Sequence, residues 1–297
     1  MSYKNVTIAG SGVLGSQIAF QTAFFGFNVT VYDINDAAIE HAKQLFAKHK
    51  ETYAAYFKDE ARAQQAFESL NYSTDLAEAV KDADLIVEAV PERMDIKKGF
   101  YEQLAQVAPE KTVFASNSST MLPSQFAEFT GRPEKFLALH FANEIWHNNT
   151  AEIMGHPGTD AQYAEQVVEF AREIGMIPFH LHKEQPGYIL NSLLVPFLDA
   201  GMQLWAKGVA DPETIDKNWM IATGAPRGPF AILDVVGMET PYNLNLAKAA
   251  AGIPGTKEIA EKLKTEYIDQ GKMGINAGEG FYKYPNPSYA APDFLKK

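Results

Sequence analysis

Residues 6–15, VTIAGSGVLG, constrain the fold of this chain more than any other stretch. Val6, Thr7, Ile8 and Ala9 make a short β-branched run suited to a buried parallel strand, and Gly10, Gly12 and Gly15 then fall in the spacing G-x-G-x-x-G. In such a strand-to-helix turn the first glycine permits the bend, the second removes a Cβ so that a pyrophosphate can approach the backbone, and the third lets the helix sit close to the strand. The free N–H groups and dipole at the helix start favour an anion. Gly10, Ser11, Gly12, Val13, Leu14 and Gly15 are therefore the expected contacts to a dinucleotide.

Three glycines at this spacing also occur in ordinary turns, so the flanking sequence decides. Residues 16–25 have helical apolar spacing (Ile18, Ala19, Ala23, Phe24), Gly26 is placed to end the helix, and residues 29–32 form a second strand that closes on Asp33. A carboxylate at that point accepts both ribose hydroxyls of an adenosine and repels a 2′-phosphate, and Ile34 and Asn35 offer no Arg in its place. The expected cofactor is NAD(H) rather than NADP(H).

With 297 residues the chain has room for two domains, each with its own core. A net charge of −11 argues against a general nucleic-acid or anionic-membrane surface. The absence of Cys excludes disulfides, thiolate catalysis and thiolate metal sites. The N-terminal residues run straight into the first strand, leaving no room for a secretory signal, and the cytoplasm is the default expectation. The longest apolar stretch, residues 188–205, contains Asn191, Pro196 and Asp199 and reads as a buried soluble helix rather than a membrane span.

Residues 36–70 read as helical with a break near 57–60, an excursion in which acidic and basic side chains nearly balance. Tyr72 marks a short strand, Asp75 caps a helix, residues 85–90 form a buried strand, residues 94–107 an amphipathic helix and residues 113–115 another strand. The polar run 116–120 follows, either a catalytic loop or a simple cap for a helix expected at 121–129. Strands are expected at 136–139, leading to His140, at 150–154, carrying Glu152, and at 177–181. Residues 183–187 form a linker, after which helices are expected at 188–206, 212–220, 230–236, 242–250 and 257–270. The fold class is α/β: a Rossmann-type doubly wound sheet domain over residues 1–184, then a smaller all-helical domain over 185–297 for substrate binding and dimerisation.

Hydride transfer needs a group that gives or takes the alcohol proton, and a histidine held by a carboxylate suits that task. Of the seven histidines, His41, His49 and His156 lie in polar surroundings suited to solvated roles. His180 and His182 alternate on a strand, but no third metal ligand accompanies them, and no metal is expected. His140 ends a buried strand with Glu152 on the next, a pattern that fits a core histidine as well as a catalytic one.

The chain resembles the 3-hydroxyacyl-CoA dehydrogenase family along nearly its whole length. The matching residues are the glycine turn, Asp33, residues 88–92 (EAVPE), 116–119 (SNSS), His140-Phe141, 187–196 (GYILNSLLVP), 228–230 (GPF) and 278–284 (GEGFYKY). The resemblance implies a catalytic pair at His140 and Glu152, with Ser119 and Asn191 binding the reacting oxygen. It implies cofactor contacts from Glu92, Lys97, Ser119 and Asn143, a place in fatty acid metabolism and a homodimer formed through the helical domain. Three departures weigh against an acyl-CoA substrate: the family's prolines after His140-Phe141 are missing from residues 142–150, the excursion lacks a basic surface, and Asn276 stands where Lys is common. The His-Phe-Ala-Asn and Asn-Asn-Thr-Ala-Glu pattern is similar to the diketoreductase branch.

The expected activity is NAD(H)-dependent interconversion of 3-keto and 3-hydroxy groups in a small ester, acid or acyl-CoA. A sugar acid of the L-gulonate type, held by Asn148 and Asn149, is an alternative. So is a catalytically weak NAD-binding structural protein. No nucleic-acid or membrane partner is expected.

Overall fold

The buried β-branched run near the N-terminus forms β1 (Asn5–Ala9), the centre of a sheet completed by β2 (Asn28–Tyr32), β3 (Asn71–Ser73), β4 (Leu85–Glu88), β5 (Val113–Ser116), β6 (Phe136–Phe141), β7 (Thr150–Gly155) and β8 (Ile177–Leu181). The computed structural model describes residues 3–296. The strand order is β3-β2-β1-β4-β5-β6-β7-β8, parallel from β3 through β6; β7 runs antiparallel to β6, and β8 parallel to β7. Because β1 lies between β2 and β4, the chain reverses its direction of travel across the sheet there. A crevice opens at such a switch point, beyond the carboxyl ends of the strands.

Alternate residues of one strand face opposite sides of the sheet. Leu85 and Val87 join a core with Phe20 and Phe24 of α1 (Val13–Phe24), Phe46 of α2 (Asp36–Phe57) and Phe170 of α6 (Ala161–Glu173). Ile86 joins another with Phe100 and Leu104 of α5 (Met94–Val107). Local chemistry sets the helix limits. Asn35 accepts a hydrogen bond from the Ala38 N–H to open α2, Lys58 breaks it at φ +56°, and Asp59 opens α3 (Glu60–Ser69) through the Arg62 N–H. Asp75 does the same for α4 (Leu76–Val80).

Three local expectations are corrected. No α-helix forms over 121–129; Pro123–Gln125 and Ala127–Thr130 are short 3₁₀ turns, with Pro123 restricting the entry and the Leu122 N–H taken by the Gln125 side chain. The strand expected through Val90 ends at Glu88, where the Val90 N–H turns to the Glu88 carboxylate. His49 is not solvated but buried in α2, with Nε2 3.0 Å from Ser16 Oγ.

The chain divides into two compact units between Ile189 and Leu190. Tyr188 is buried with Ala138, Met154 and Leu181, so the linker's end belongs to the first unit. The second contains α7 (Leu190–Ala206), α8 (Pro212–Thr223), α9 (Pro229–Val236), α10 (Glu239–Ala250) and α11 (Thr256–Glu266). Met202, Trp205, Phe230, Leu233 and Leu263 form its core. Asp216 accepts from the N–H groups of Phe230 and Ala231 at the start of α9, and Asp234 accepts from those of Phe281 and Tyr282. Burial raises both carboxyls above their ordinary values despite these bonds. A Cβ on Gly280 would lie 2.1 Å from Asp234, which accounts for a glycine there. The long apolar helix is buried on one face only: Leu198, Met202 and Trp205 point inward, while Leu193 is 70% exposed. Among the described residues no helix is long and apolar enough to cross a membrane.

Candidate active site

The glycines of the first turn have distinct surroundings. At Gly10, φ is +95° and a Cβ would lie 2.4 Å from the Ala89 carbonyl oxygen; at Gly15 it would lie 1.9 Å from that of Gly10. At Gly12 a Cβ would meet nothing within 4 Å, and no side chain caps α1. Gly12 therefore faces open space at an uncapped helix start, a cradle of the kind a pyrophosphate fills. Gly12, Val13, Leu14 and Gly15 line a cleft of about 190 Å³ with Ala89, Glu92, Lys97 and Ser119. A second cleft, about 670 Å³, is walled by Gly10, Ser11, Asp33, Ile34, Pro91 and Phe100 among others, large enough for an adenosine. Asp33 stands in its wall, accepting from the Ser11 N–H at 2.8 Å and from the Ser11 hydroxyl. The residues present fit a dinucleotide with free ribose hydroxyls.

Below the smaller cleft lies a buried ionic cluster. Lys97, 1% exposed, pairs with Glu88 at 2.5 Å and Glu92 at 3.2 Å. Tyr101 and Ser116 donate to the other Glu88 oxygen. Burial opposes the charge on Glu92, but hydrogen bonds from Ser118 and Thr120 and the Lys97 ammonium outweigh it and hold that carboxyl below its ordinary value. The run 116–120 opens no α-helix, although Ser118 Oγ accepts the Met121 N–H as a cap would, and its other side-chain bonds go to the site. Ser116 serves Glu88, Asn117 Oδ1 accepts the Phe141 N–H at the end of β6, Ser118 and Thr120 serve Glu92, and Ser119 Oγ lies 3.1 Å from His140 Nε2.

His140 and Glu152 are direct cross-strand partners on the antiparallel β6–β7 pair, so their side chains share one face. His140 Nδ1 lies 3.0 Å from Glu152 Oε2, and both residues are buried. The series Ser119–His140–Glu152 can pass a proton between a hydroxyl-sized atom and an imidazole whose far side faces a carboxylate.

The other expected site residues are not among these contacts. Asn143 is exposed in the turn after β6, its carbonyl accepting from Asn148, and neither cleft is walled by it. Asn148 and Asn149 donate to the backbone at Asn143 and Gly175, so their amides brace the loop. Trp146 lies against His49 and Tyr53. Asn191 is half-buried in the first turn of α7, in the second unit. His180 and His182 are both exposed, and among the described residues no three His, Cys, Asp or Glu side chains gather as a metal site would require. Sequence reasoning missed the role of Glu88, although an acid within the apolar run LIVEAV was a visible signal, and it missed Tyr188.

Residues 5–185 match the family description "3-hydroxyacyl-CoA dehydrogenase, NAD binding domain", and residues 187–284 match "3-hydroxyacyl-CoA dehydrogenase, C-terminal domain". The chain belongs to the 3-hydroxyacyl-CoA dehydrogenase family. It is accordingly an NAD-dependent oxidoreductase acting on CH–OH groups. The hydroxyacyl-coenzyme A dehydrogenase of Rattus norvegicus, described as mitochondrial, is 33% identical over 95% of this chain and 91% of its own. A solved diketoreductase that acts on dicarbonyl compounds is 55% identical, with a TM-score of 0.91 over 96% of this chain and 100% of that one. The (S)-3-hydroxybutyryl-CoA dehydrogenase of Ralstonia eutropha is 26% identical with a TM-score of 0.80, covering 96% and 100%.

Proposed function

We propose that the chain interconverts a 3-keto and a 3-hydroxy group in a dicarbonyl ester or acid, with His140 as acid and base. The observation that carries the reading is the series Ser119 Oγ–His140–Glu152 at the rim of the glycine-lined cleft. The residues lining the two clefts would hold NAD(H), which when bound would supply or accept the hydride. In the reductive direction His140 is an imidazolium that gives up its Nε2 proton; Glu152 accepts the Nδ1–H, stabilises that imidazolium and leaves the neutral ring as the Nδ1–H tautomer, whose bare Nε2 takes the alcohol proton in the reverse direction. The Ser119 hydroxyl donates to the substrate oxygen as negative charge develops there; a well-aligned donor of this kind contributes on the order of 3 kcal/mol. Asn191 is proposed as a second donor on the strength of the motif that contains it. Asp33 selects NAD by its charge, and Glu92, Lys97 and Asn143 are proposed cofactor contacts, the first two through the wall of the smaller cleft.

The near-neutral excursion supports a free dicarbonyl compound over an acyl-CoA, and its Lys43 is paired with Glu40. Against the sugar-acid reading, Asn148 and Asn149 each already give one N–H to a backbone carbonyl. NADH oxidation with a 3,5-diketo ester and with acetoacetyl-CoA, side by side, tests the substrate class. Preference for the ester is expected, and efficient turnover of the thioester would return the protein to fatty-acid metabolism. His140→Ala should lower turnover ~10²- to 10⁴-fold while NADH affinity stays nearly unchanged. A larger loss in NADH binding than in turnover would sink the assignment. A homodimer formed through the helical unit and a cytoplasmic location are proposed with it; cell fractionation checks the latter.

A further inference from the structure

Tyr188 has no part in the reaction as described, yet its ring, its hydroxyl and the N–H that follows it all lie against the reacting groups or the residues beside them. Its φ is +54°, directly after Gly187 at +78°, and a left-handed conformation is sterically disfavoured for a bulky side chain. Such outliers persist where surrounding contacts over-determine them, and they cluster at functional sites. The ring is buried and lies face to face with the His140 imidazole, centroids 4.4 Å apart and planes 11° from parallel. Its hydroxyl donates to the Ser118 carbonyl at 2.7 Å, one residue before the serine whose Oγ meets His140 Nε2. The next N–H, that of Ile189, donates to Glu152 Oε1 at 2.9 Å, the carboxylate oxygen that does not face His140.

We infer that Tyr188 is a positioning residue that clamps Ser119, His140 and Glu152 into one line. The inference rests on the reading of His140 as acid and base. An apolar filler in ordinary extended backbone would satisfy burial alone. Consecutive left-handed residues let the ring cover the imidazole while the following N–H reaches the carboxylate. The ring blocks the imidazole from tilting out of the plane that holds Nε2 toward Ser119. Its negative π face also favours the imidazolium formed when His140 takes up the alcohol proton. The Ile189 N–H occupies Oε1, so Oε2 stays on Nδ1. The Ser118 bond ties the ring to the strand-end loop, so serine and histidine keep one spacing.

The test uses the full chain with Tyr188→Leu, Tyr188→Met as a second non-stacking variant, Tyr188→Phe, and His140→Ala in parallel. In the non-stacking variants kcat should fall ~10- to 100-fold, as a misplaced acid–base group does, while NADH affinity measured by direct binding stays within about twofold. The solvent deuterium isotope effect on kcat should rise as proton transfer becomes limiting. Tyr188→Phe should recover most of the loss, since it restores the ring. In the free enzyme the His140 ring protons, assigned by their disappearance in His140→Ala, should be shifted upfield by the ring current. That shift should persist in Tyr188→Phe and vanish in Leu or Met. Folded Leu or Met variants with unchanged kcat, or a wild-type protein without the upfield shift, overturn the inference. If His140→Ala itself retains turnover, the acid–base reading has failed instead.

Discussion

A Cβ at Gly12 would meet open space, whereas one at Gly15 would lie 1.9 Å from the Gly10 carbonyl oxygen, and the two positions should respond to the same substitution in opposite ways. Gly12→Ala should fold with an unchanged melting temperature and lose NADH affinity by about tenfold or more, because the methyl group occupies the phosphate cradle. Gly15→Ala should destabilise the fold by ~1–3 kcal/mol or more, since the neighbour it meets is backbone and cannot rotate away. Melting curves and direct NADH titration of both variants check the pair; a Gly12→Ala protein with full affinity would remove the phosphates from this turn. The spacing of these glycines was legible from the sequence, and so was the acid at Asp33. That Lys97 spends its ammonium on Glu88 and Glu92 was not legible, because ion pairing depends on which side chains share a buried volume.

At the level of elements, the connection 142–149 joins the strand of His140 to that of Glu152, and α1 and α2 hold it. Gln17 Oε1 accepts from the N–H groups of Glu144 and Ile145, and Trp146 rests on His49 and Tyr53. His49 in turn meets Ser16 of α1. Burial pushes the His49 imidazole down to about 4 from an ordinary 6.5. The folded protein therefore holds it neutral over a range where the unfolded chain takes up a proton. Stability should fall as pH drops from about 6.5 toward about 4, by up to ~3 kcal/mol from this group. Urea unfolding of wild type and His49→Gln at neutral pH and near pH 4.5 should show the acid loss shrinking in the variant; an equal loss in both would exclude His49 as its source. The β6–β7 pairing is itself a lesson in legibility. A connection as short as 142–149 is too short for a parallel crossover, so the antiparallel register that sets His140 opposite Glu152 was implicit in the spacing.

For the whole molecule, the apolar surface left on the helical unit is the feature that needs a partner. Leu193, Ile221 and Leu246 are exposed on α7, α8 and α10. Water contact over exposed apolar side chains of this size favours association. Light scattering on the purified protein should give twice the chain mass of 32.8 kDa, and Leu193→Glu should shift it toward one chain if α7 forms the contact. A single-chain mass for wild type at micromolar concentration would refute the homodimer.

What the sequence determined by itself is local or periodic: the glycine turn, the alternation of strand and helix, the acid at Asp33, the shift to helices after residue 187, and the motifs that carry the family. Each depends on conformational limits of single residues or on the 2.0 and 3.6 residue periods, which neighbouring residues impose on one another. Only the tertiary structure decided which polar groups were already spent. It committed Asn148 and Asn149 to the backbone, removed His49 from solvent, turned the expected helix after Ser119 into 3₁₀ turns, and laid Tyr188 across His140. The reason is physical: a buried polar atom must find a partner within about 3 Å, and which partner it finds depends on segments far apart in the chain.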